Sequence, residues 1–315
     1  MGVPYPAMEN RTPRLAAMSQ AEIERAAVGD IEIAYERFGD AADPPVVLIQ
    51  GIGTQMLGWP DEFCSALADR AQHVIRFDNR DIGLSTHLHD APPADVMAAF
   101  AGDTSSASYT LSDMARDSVG LMNALGLDSA HVVGLSMGGM IAQTAAIEHP
   151  QRVRSLTSIM STTGDQRVGE ATQAALGALM APPANDLDQA MDRAVEIFRV
   201  IGSPAYALDE AALRDQARRA YERSYDPPGV SRQMLAILAS GDRTERLRTL
   251  GVPTLVIHGT EDPLISVSGG RATAEATPGA ELLELEGMGH DLPRELWPEI
   301  TGRIAALVER VEQDR

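Results

Sequence analysis

A serine, an aspartate and a histidine, far apart in this chain, are the residues whose types and settings suit nucleophilic acyl transfer. Ser136 stands at the centre of Gly134-Leu135-Ser136-Met137-Gly138-Gly139, directly after the apolar run His131-Val132-Val133 and before the helical stretch Met140-Ile141-Ala142-Gln143. Strand, tight turn and helix with serine at the apex is a nucleophile elbow, in which glycines let the backbone turn without a Cβ clash. A helix starting at Met137 aims free N–H groups and the positive end of its dipole at an anion forming beside the serine oxygen. A serine hydroxyl is a weak nucleophile at neutral pH and needs a base, itself oriented by an acid. His290, in Gly287-Met288-Gly289-His290-Asp291, follows the strand-like Glu281-Leu282-Leu283-Glu284-Leu285. Asp262, in His258-Gly259-Thr260-Glu261-Asp262-Pro263, follows Leu255-Val256-Ile257. Reacting groups in such sheets gather beyond the carboxyl ends of strands, which favours Asp262 over its neighbour Glu261 and over Asp165.

The tetrahedral intermediate also needs two backbone donors. Met137, next to the serine, is one; Ile52, in the glycine-rich loop Gln50-Gly51-Ile52-Gly53-Thr54-Gln55, is the other. The bland reading of Gly51 and Gly53 is an ordinary flexible loop. His73, His87, His89, His131 and His149 lie in or near other elements, and His258 ends a strand beside a glycine turn. No metal-ligand spacing links them, which argues against a zinc or iron centre, and no cofactor is expected. The single cysteine, Cys64, falls in an amphipathic stretch and reads as a buried structural thiol.

These groups need a scaffold, and the chain alternates strand-like and helical segments. Pro45-Val46-Val47-Leu48-Ile49 is continuously apolar, as a strand buried on both faces of a parallel sheet must be. His73–Phe77, Ala130–Val133, Val153–Ile159 and Pro253–Ile257 repeat the pattern, while Ile31–Tyr35 alternates like a half-exposed strand. Helices are expected over about Asp61–Arg70, Ser112–Leu125, Met137–Glu148 and Leu292–Val311, with Thr110-Leu111-Ser112-Asp113 as a capping box. The fold class is therefore α/β, with a mostly parallel, doubly wound sheet. Residues 163–250 break the alternation: helical sequence, with Pro182-Pro183 and Pro227-Pro228-Gly229 as breakers, reads as an inserted lid. The core is then 21–162 plus 251–315, with residues 1–20 a loose lead-in. Met180, Met191, Phe198, Tyr206, Tyr221 and Met234 either line a pocket under the lid or form the lid's own core.

The 315 residues carry a formal net charge of −19, and all 26 basic residues are arginine. No basic stripe exists to displace counterions, so a nucleic-acid partner is not expected. No apolar stretch is long enough for a membrane span, and the N-terminus lacks an apolar signal core. One cysteine excludes an internal disulfide and fits a reducing, cytoplasmic setting. A monomer or homodimer acting on a small-molecule ester is the expected form.

Together these residues resemble the α/β-hydrolase family from about Asp30 to Val311, in the chain order Ser136, Asp262, His290. Leu57-Gly58-Trp59-Pro60-Asp61-Glu62-Phe63, Val74-Ile75-Arg76-Phe77-Asp78-Asn79-Arg80-Asp81 and the elbow are similar to the aclacinomycin methylesterase subgroup and related actinobacterial esterases. The resemblance implies a serine hydrolase cleaving carboxylic esters through an acyl-enzyme, on polyketide-type methyl esters or simple esters. Lactone or macrolide opening, carbon–carbon hydrolysis, peracid formation and a non-turnover ligand receptor are alternatives on the same fold. Gly51, Gly53, Trp59, Met180, Phe198 and Tyr206 are its expected pocket residues. Two departures stand out: Gln50-Gly51 replaces the usual His-Gly, and Arg80-Asp81 replaces the common Arg-Gly.

Overall fold

Alternating side chains of the central strands divide the interior into two apolar layers. The computed structural model describes residues 22–315; the expected lead-in over 1–20 lies outside the described residues. Strands β1 (Glu24–Val28) and β2 (Ile31–Phe38) form an antiparallel hairpin, followed by β3 (Pro45–Ile49), α1 (Asp61–Ala68) and β4 (His73–Phe77). Next come α2 (Val96–Phe100), α3 (Leu111–Ala124), β5 (Ala130–Leu135), α4 (Met137–Glu148) and β6 (Val153–Ile159). The sheet order is β1-β2-β4-β3-β5-β6, completed by β7 (Thr254–Gly259) and β8 (Glu281–Leu285); every pairing from β4 to β8 is parallel. Val47 and Ile49 face a layer with Leu111, Met114, Ile141 and Ala145 of α3 and α4. Val46 and Leu48 face the opposite layer, formed with Phe63 and Leu67 of α1. Period-two alternation in a strand covered on both sides produces this division.

Between β6 and β7 the described residues hold helices only. These are α5 (Gln173–Leu179), α6 (Leu187–Ile201), α7 (Glu210–Arg223), α8 (Pro227–Ser240) and the short α9 (Thr244–Leu247). After β7 come α10 (Val267–Ala276) and, beyond β8, α11 (Trp297–Gln313), whose Ile300 and Ile304 join the α1 layer. The expected helix over Leu292–Val311 starts later than its apolar spacing suggests. Pro298 is tolerated in a first turn, where its missing N–H would have no partner, so α11 begins at Trp297.

One strand escapes a reading by pattern. β1 is alanine-rich, yet Gly29, at φ 58°, and Asp30 close a two-residue turn that pairs Val28 with Ile31. The capping box did have a clear signal: the Thr110 amide donates to Asp113 Oδ2 at 2.8 Å, at the start of α3.

Candidate active site

Ser136 sits between the end of β5 and the first turn of α4, with φ 56° and ψ −119°, a backbone region L-residues rarely occupy. The flanking glycines make this turn possible by close approach. A Cβ on Gly134 would lie 2.0 Å from the Gly138 carbonyl oxygen, and one on Gly138 would lie 2.1 Å from that of Ile49. The turn is then tied to β6: the Ser136 amide donates to the Ile159 carbonyl at 2.9 Å. Ser161 Oγ donates to the Ser136 carbonyl at 2.8 Å.

Three side chains form a continuous hydrogen-bonded line. Ser136 Oγ lies 3.0 Å from His290 Nε2, and His290 Nδ1 lies 2.7 Å from Asp262 Oδ2. All three are buried. Asp262 Oδ1 accepts from the amides of Leu264 and Ile265, both at 2.9 Å, so the loop after β7 wraps its own carboxylate. His258 Nε2 donates to the Ile265 carbonyl at 2.7 Å and stands 3.5 Å from Asp262 Oδ2. Burial alone would raise the Asp262 carboxyl. Facing His290 and the N–H groups of His258 and His290 outweigh that and hold it well below the usual carboxylate range. Glu261 is exposed, and Asp165 pairs with Arg167, so neither meets His290.

The helical insertion supports the histidine directly. The His290 amide donates to the carbonyl of Ile201, the last residue of α6, at 2.7 Å. Gly289 N–H donates to Ser203 Oγ at 2.8 Å, and that hydroxyl in turn donates to Asp291 Oδ1. Asp291 is pushed up by burial, with the Ser203 bonds acting against it.

Above the serine, a Cβ on Gly51 would stand 3.3 Å from Ser136 Cβ, so the loop after β3 closes over the hydroxyl. Among the described residues the amides of Ile52 and Met137 have no acceptor, and Met137 is the first residue of α4. Gly53, at φ 65°, packs on Val230 and donates to Gln233 Oε1 at 2.9 Å. Gln50, where histidine is usual, accepts from Gly51 N at 2.7 Å and leaves the loop backbone intact.

The second departure has a specific partner in the insertion. Asp81 has φ 68°, a left-handed conformation that glycine adopts freely and that costs other residues about 1–2 kcal/mol. Its carboxylate receives a two-pronged bond from Arg232 of α8, at 2.7 and 2.8 Å, and a bond from Leu88 N at 2.7 Å. Both side chains of the ion pair are almost fully buried. We expect Arg232→Leu to cost about 3–5 kcal/mol, because Asp81 is left charged and dry. Urea unfolding compared with Asp81→Gly/Arg232→Leu, which removes charge and strain together, measures it; the double variant should recover most of the loss.

A parallel tie joins Arg223 of α7 to Asp78 at 2.6 Å, beside Gln55, whose Nε2 donates to the carbonyls of Ala220 and Ser224, both at 2.8 Å. Asn79 donates to the Gln50 carbonyl at 3.0 Å, and Arg80 makes a two-pronged bond to Asp117, both at 2.6 Å. The Asp78-Asn79-Arg80 run thus braces both the loop over Ser136 and the insertion. These partners lie far away in sequence, so only the run itself was visible there.

The expected pocket residues separate. A cavity of about 180 Å³ lies between the loops after β3 and β4 and helices α6 to α8, lined by Gly53, Gln55, His87, Tyr221 and Val230 among others. Gly53 lines it; Met180, Phe198 and Tyr206 do not. Trp59 requires a correction: it is fully buried against Phe63, ring centroids 5.3 Å apart, in the core beneath the sheet. Its ring joins the apolar layer of Val46, Leu48 and Phe63, so it is core rather than cavity wall. Cys64 is also buried there, its thiol pushed up to about 12 by burial, which keeps it from acting as a nucleophile at neutral pH.

The geometry agrees with what the chain is similar to. Rhodomycin D methylesterase DauP of Streptomyces sp. (strain C5) is 28% identical over 298 residues, 88% of this chain and 95% of that protein. DnrP of Streptomyces peucetius, also a rhodomycin D methylesterase, is 27% identical with the same coverage. Among solved structures, the enol-lactonase of Burkholderia xenovorans LB400 superposes with a TM-score of 0.70 at 25% identity, covering 91% of this chain and all of that one. A family model described as the alpha/beta hydrolase fold matches residues 44–293, from the start of β3 to just beyond His290. With that match spanning most of the chain and including the turn at Ser136, the protein belongs to the α/β-hydrolase fold family.

Proposed function

We propose that this protein is a serine carboxylic-ester hydrolase acting through a Ser136–His290–Asp262 triad. The line of hydrogen bonds from Asp262 Oδ2 to Ser136 Oγ carries this reading. Ser136 Oγ attacks the ester carbonyl while His290 Nε2 takes its proton. The N–H groups of Ile52 and Met137 stabilise the oxyanion, helped by the N-terminal dipole of α4. Collapse breaks the carbon–oxygen bond, and His290 gives the proton to the leaving alcohol. Water then adds to the acyl-enzyme by the same route and releases the acid. Asp262 holds the ring with Nδ1 protonated and offsets the charge it gains.

The helical insertion serves as the lid, and the substrate class we favour is the methyl ester of a polycyclic polyketide. What supports it is the similarity to two rhodomycin D methylesterases across nearly the whole chain. Stopped-flow mixing with p-nitrophenyl acetate should give a burst of one p-nitrophenol per active chain, followed by a slower steady rate. Peptide mass spectrometry after an acid quench should find the acyl group on Ser136. Steady release with no burst and no acyl adduct under any quench would reject the acyl-enzyme route. Comparing methyl esters of aromatic polyketides, short p-nitrophenyl esters and macrolactones by kcat/KM should rank the first group highest.

A further inference from the structure

His87 and His89 share one carboxylate oxygen with Asp226, across the junction between the loop after β4 and the helical insertion. The three side chains place their ligand atoms within 4.8 Å of one another. His87 Nε2 lies 2.9 Å from the Gly83 carbonyl, which can only accept, so that nitrogen carries a hydrogen. His87 Nδ1 then faces Asp226 Oδ2, a second acceptor, at 2.7 Å. Two acceptors at that distance repel unless something positive lies between them. His89 is stacked on His87, centroids 5.4 Å apart and rings 10° from parallel, with its own Nδ1 3.9 Å from the same Oδ2.

Asp226 bears a further mark. It is the residue capping α8, a position where aspartate ordinarily accepts from the first turn, yet its side chain makes no cap bond and turns to the two imidazoles instead. The nearest fixed cation, Arg232 Nη2, stands 3.6 Å from Oδ2, but its short bonds go to Asp81.

We infer that His87, His89 and Asp226 form a site for a divalent transition-metal ion, zinc being the best fit, that fastens the insertion to the core. Two imidazole nitrogens and one carboxylate oxygen are a zinc donor set. Bonds of about 2.0–2.2 Å place tetrahedral ligands roughly 3.3 Å apart, between the 2.7 and 3.9 Å separations seen here. Small side-chain rotations would complete it. The Nε2–H bond from His87 to Gly83 is the outer contact that orients a metal-bound histidine and leaves Nδ1 as the ligand. His87 and Asp226 both line the cavity of about 180 Å³, so a fourth position is open to a small oxygen ligand. The chemistry at Ser136 needs none of this, and the inference does not rest on the esterase reading. No spacing in the sequence revealed the site because Asp226 lies 139 residues beyond His87.

Untagged protein stripped with EDTA and titrated with zinc chloride by calorimetry tests it. The result expected is one zinc per chain with a micromolar Kd. His89→Asn should weaken binding at least about tenfold. His89 is largely exposed, so the metal-free circular dichroism should be unchanged. Asp226→Asn should remove saturable binding. Absence of saturable micromolar binding in the wild-type chain would overturn the inference, as would unchanged affinity in His89→Asn. The contact would then be an imidazolium–carboxylate pair.

Discussion

Replacing Ser136 by alanine is expected to lower kcat toward p-nitrophenyl esters on the order of 10⁶-fold, because the proposed acyl-enzyme forms on that oxygen. What survives is the rate from binding and the two backbone donors alone, and KM should rise toward the substrate dissociation constant because no acyl-enzyme accumulates. Stability separates this residue from an ordinary buried serine. Its φ of 56° and ψ of −119° stay strained in the alanine variant and are relieved by glycine. Ser136→Gly should be as inactive as Ser136→Ala yet more stable by about 1 kcal/mol, after the greater chain entropy of unfolded glycine is subtracted. Urea melts of the two variants measure the difference. Equal stabilities would mean that the turn imposes no strain on its nucleophile, and an active alanine variant would place the chemistry elsewhere.

Asp262→Asn is the second large effect, a fall of about 10⁴-fold in kcat with little change in size or packing. The asparagine amide would donate to Nδ1 of His290, reversing the tautomer and directing the Nε2 hydrogen at Ser136. A base already carrying that hydrogen cannot take another. The same substitution has a pH signature. The folded carboxyl lies below its unfolded value, so the stability from its ionisation is complete above the ordinary carboxylate range and fades as pH drops through and below about 4. The stability gap between wild type and Asp262→Asn should therefore change as pH falls below about 4. A gap constant down to pH 3 would show that the loop amides of Leu264 and Ile265, not charge, set the native conformation there.

Much of this molecule was legible in its sequence for local reasons. The central strands declare themselves because burial on both faces demands unbroken apolar runs such as Pro45–Ile49. The meeting of Ser136, Asp262 and His290 is legible because each lies just past a strand end on the same edge of the sheet. α10 was missed because Gly269 and Gly270 lower its helical character. At Gly270 a Cβ would lie 2.4 Å from His258 Nδ1, so packing, not propensity, chose the residue. Asp81 reads as an odd substitution until Arg232, 151 residues away, is found opposite it. Trp59 was placed at the pocket on resemblance alone, which carries no information about which way a ring points. Ties across long sequence separations are invisible to any periodicity.

One of those ties alters what can be exchanged between related enzymes. A helical insertion between two sheet strands invites grafting as a cassette, with junctions in the loops at its base. Here the carbonyl of Ile201 and the hydroxyl of Ser203 hold the backbone and flank of His290. A donor segment replacing the whole interval would remove that support of His290 along with the pocket wall, and recombinants would look dead for a reason unrelated to specificity. The unit that can be inherited or shuffled independently is smaller: α5 and most of α6, with residues 201–203 left behind to hold the His290 loop and α7 kept with Asp78 through Arg223.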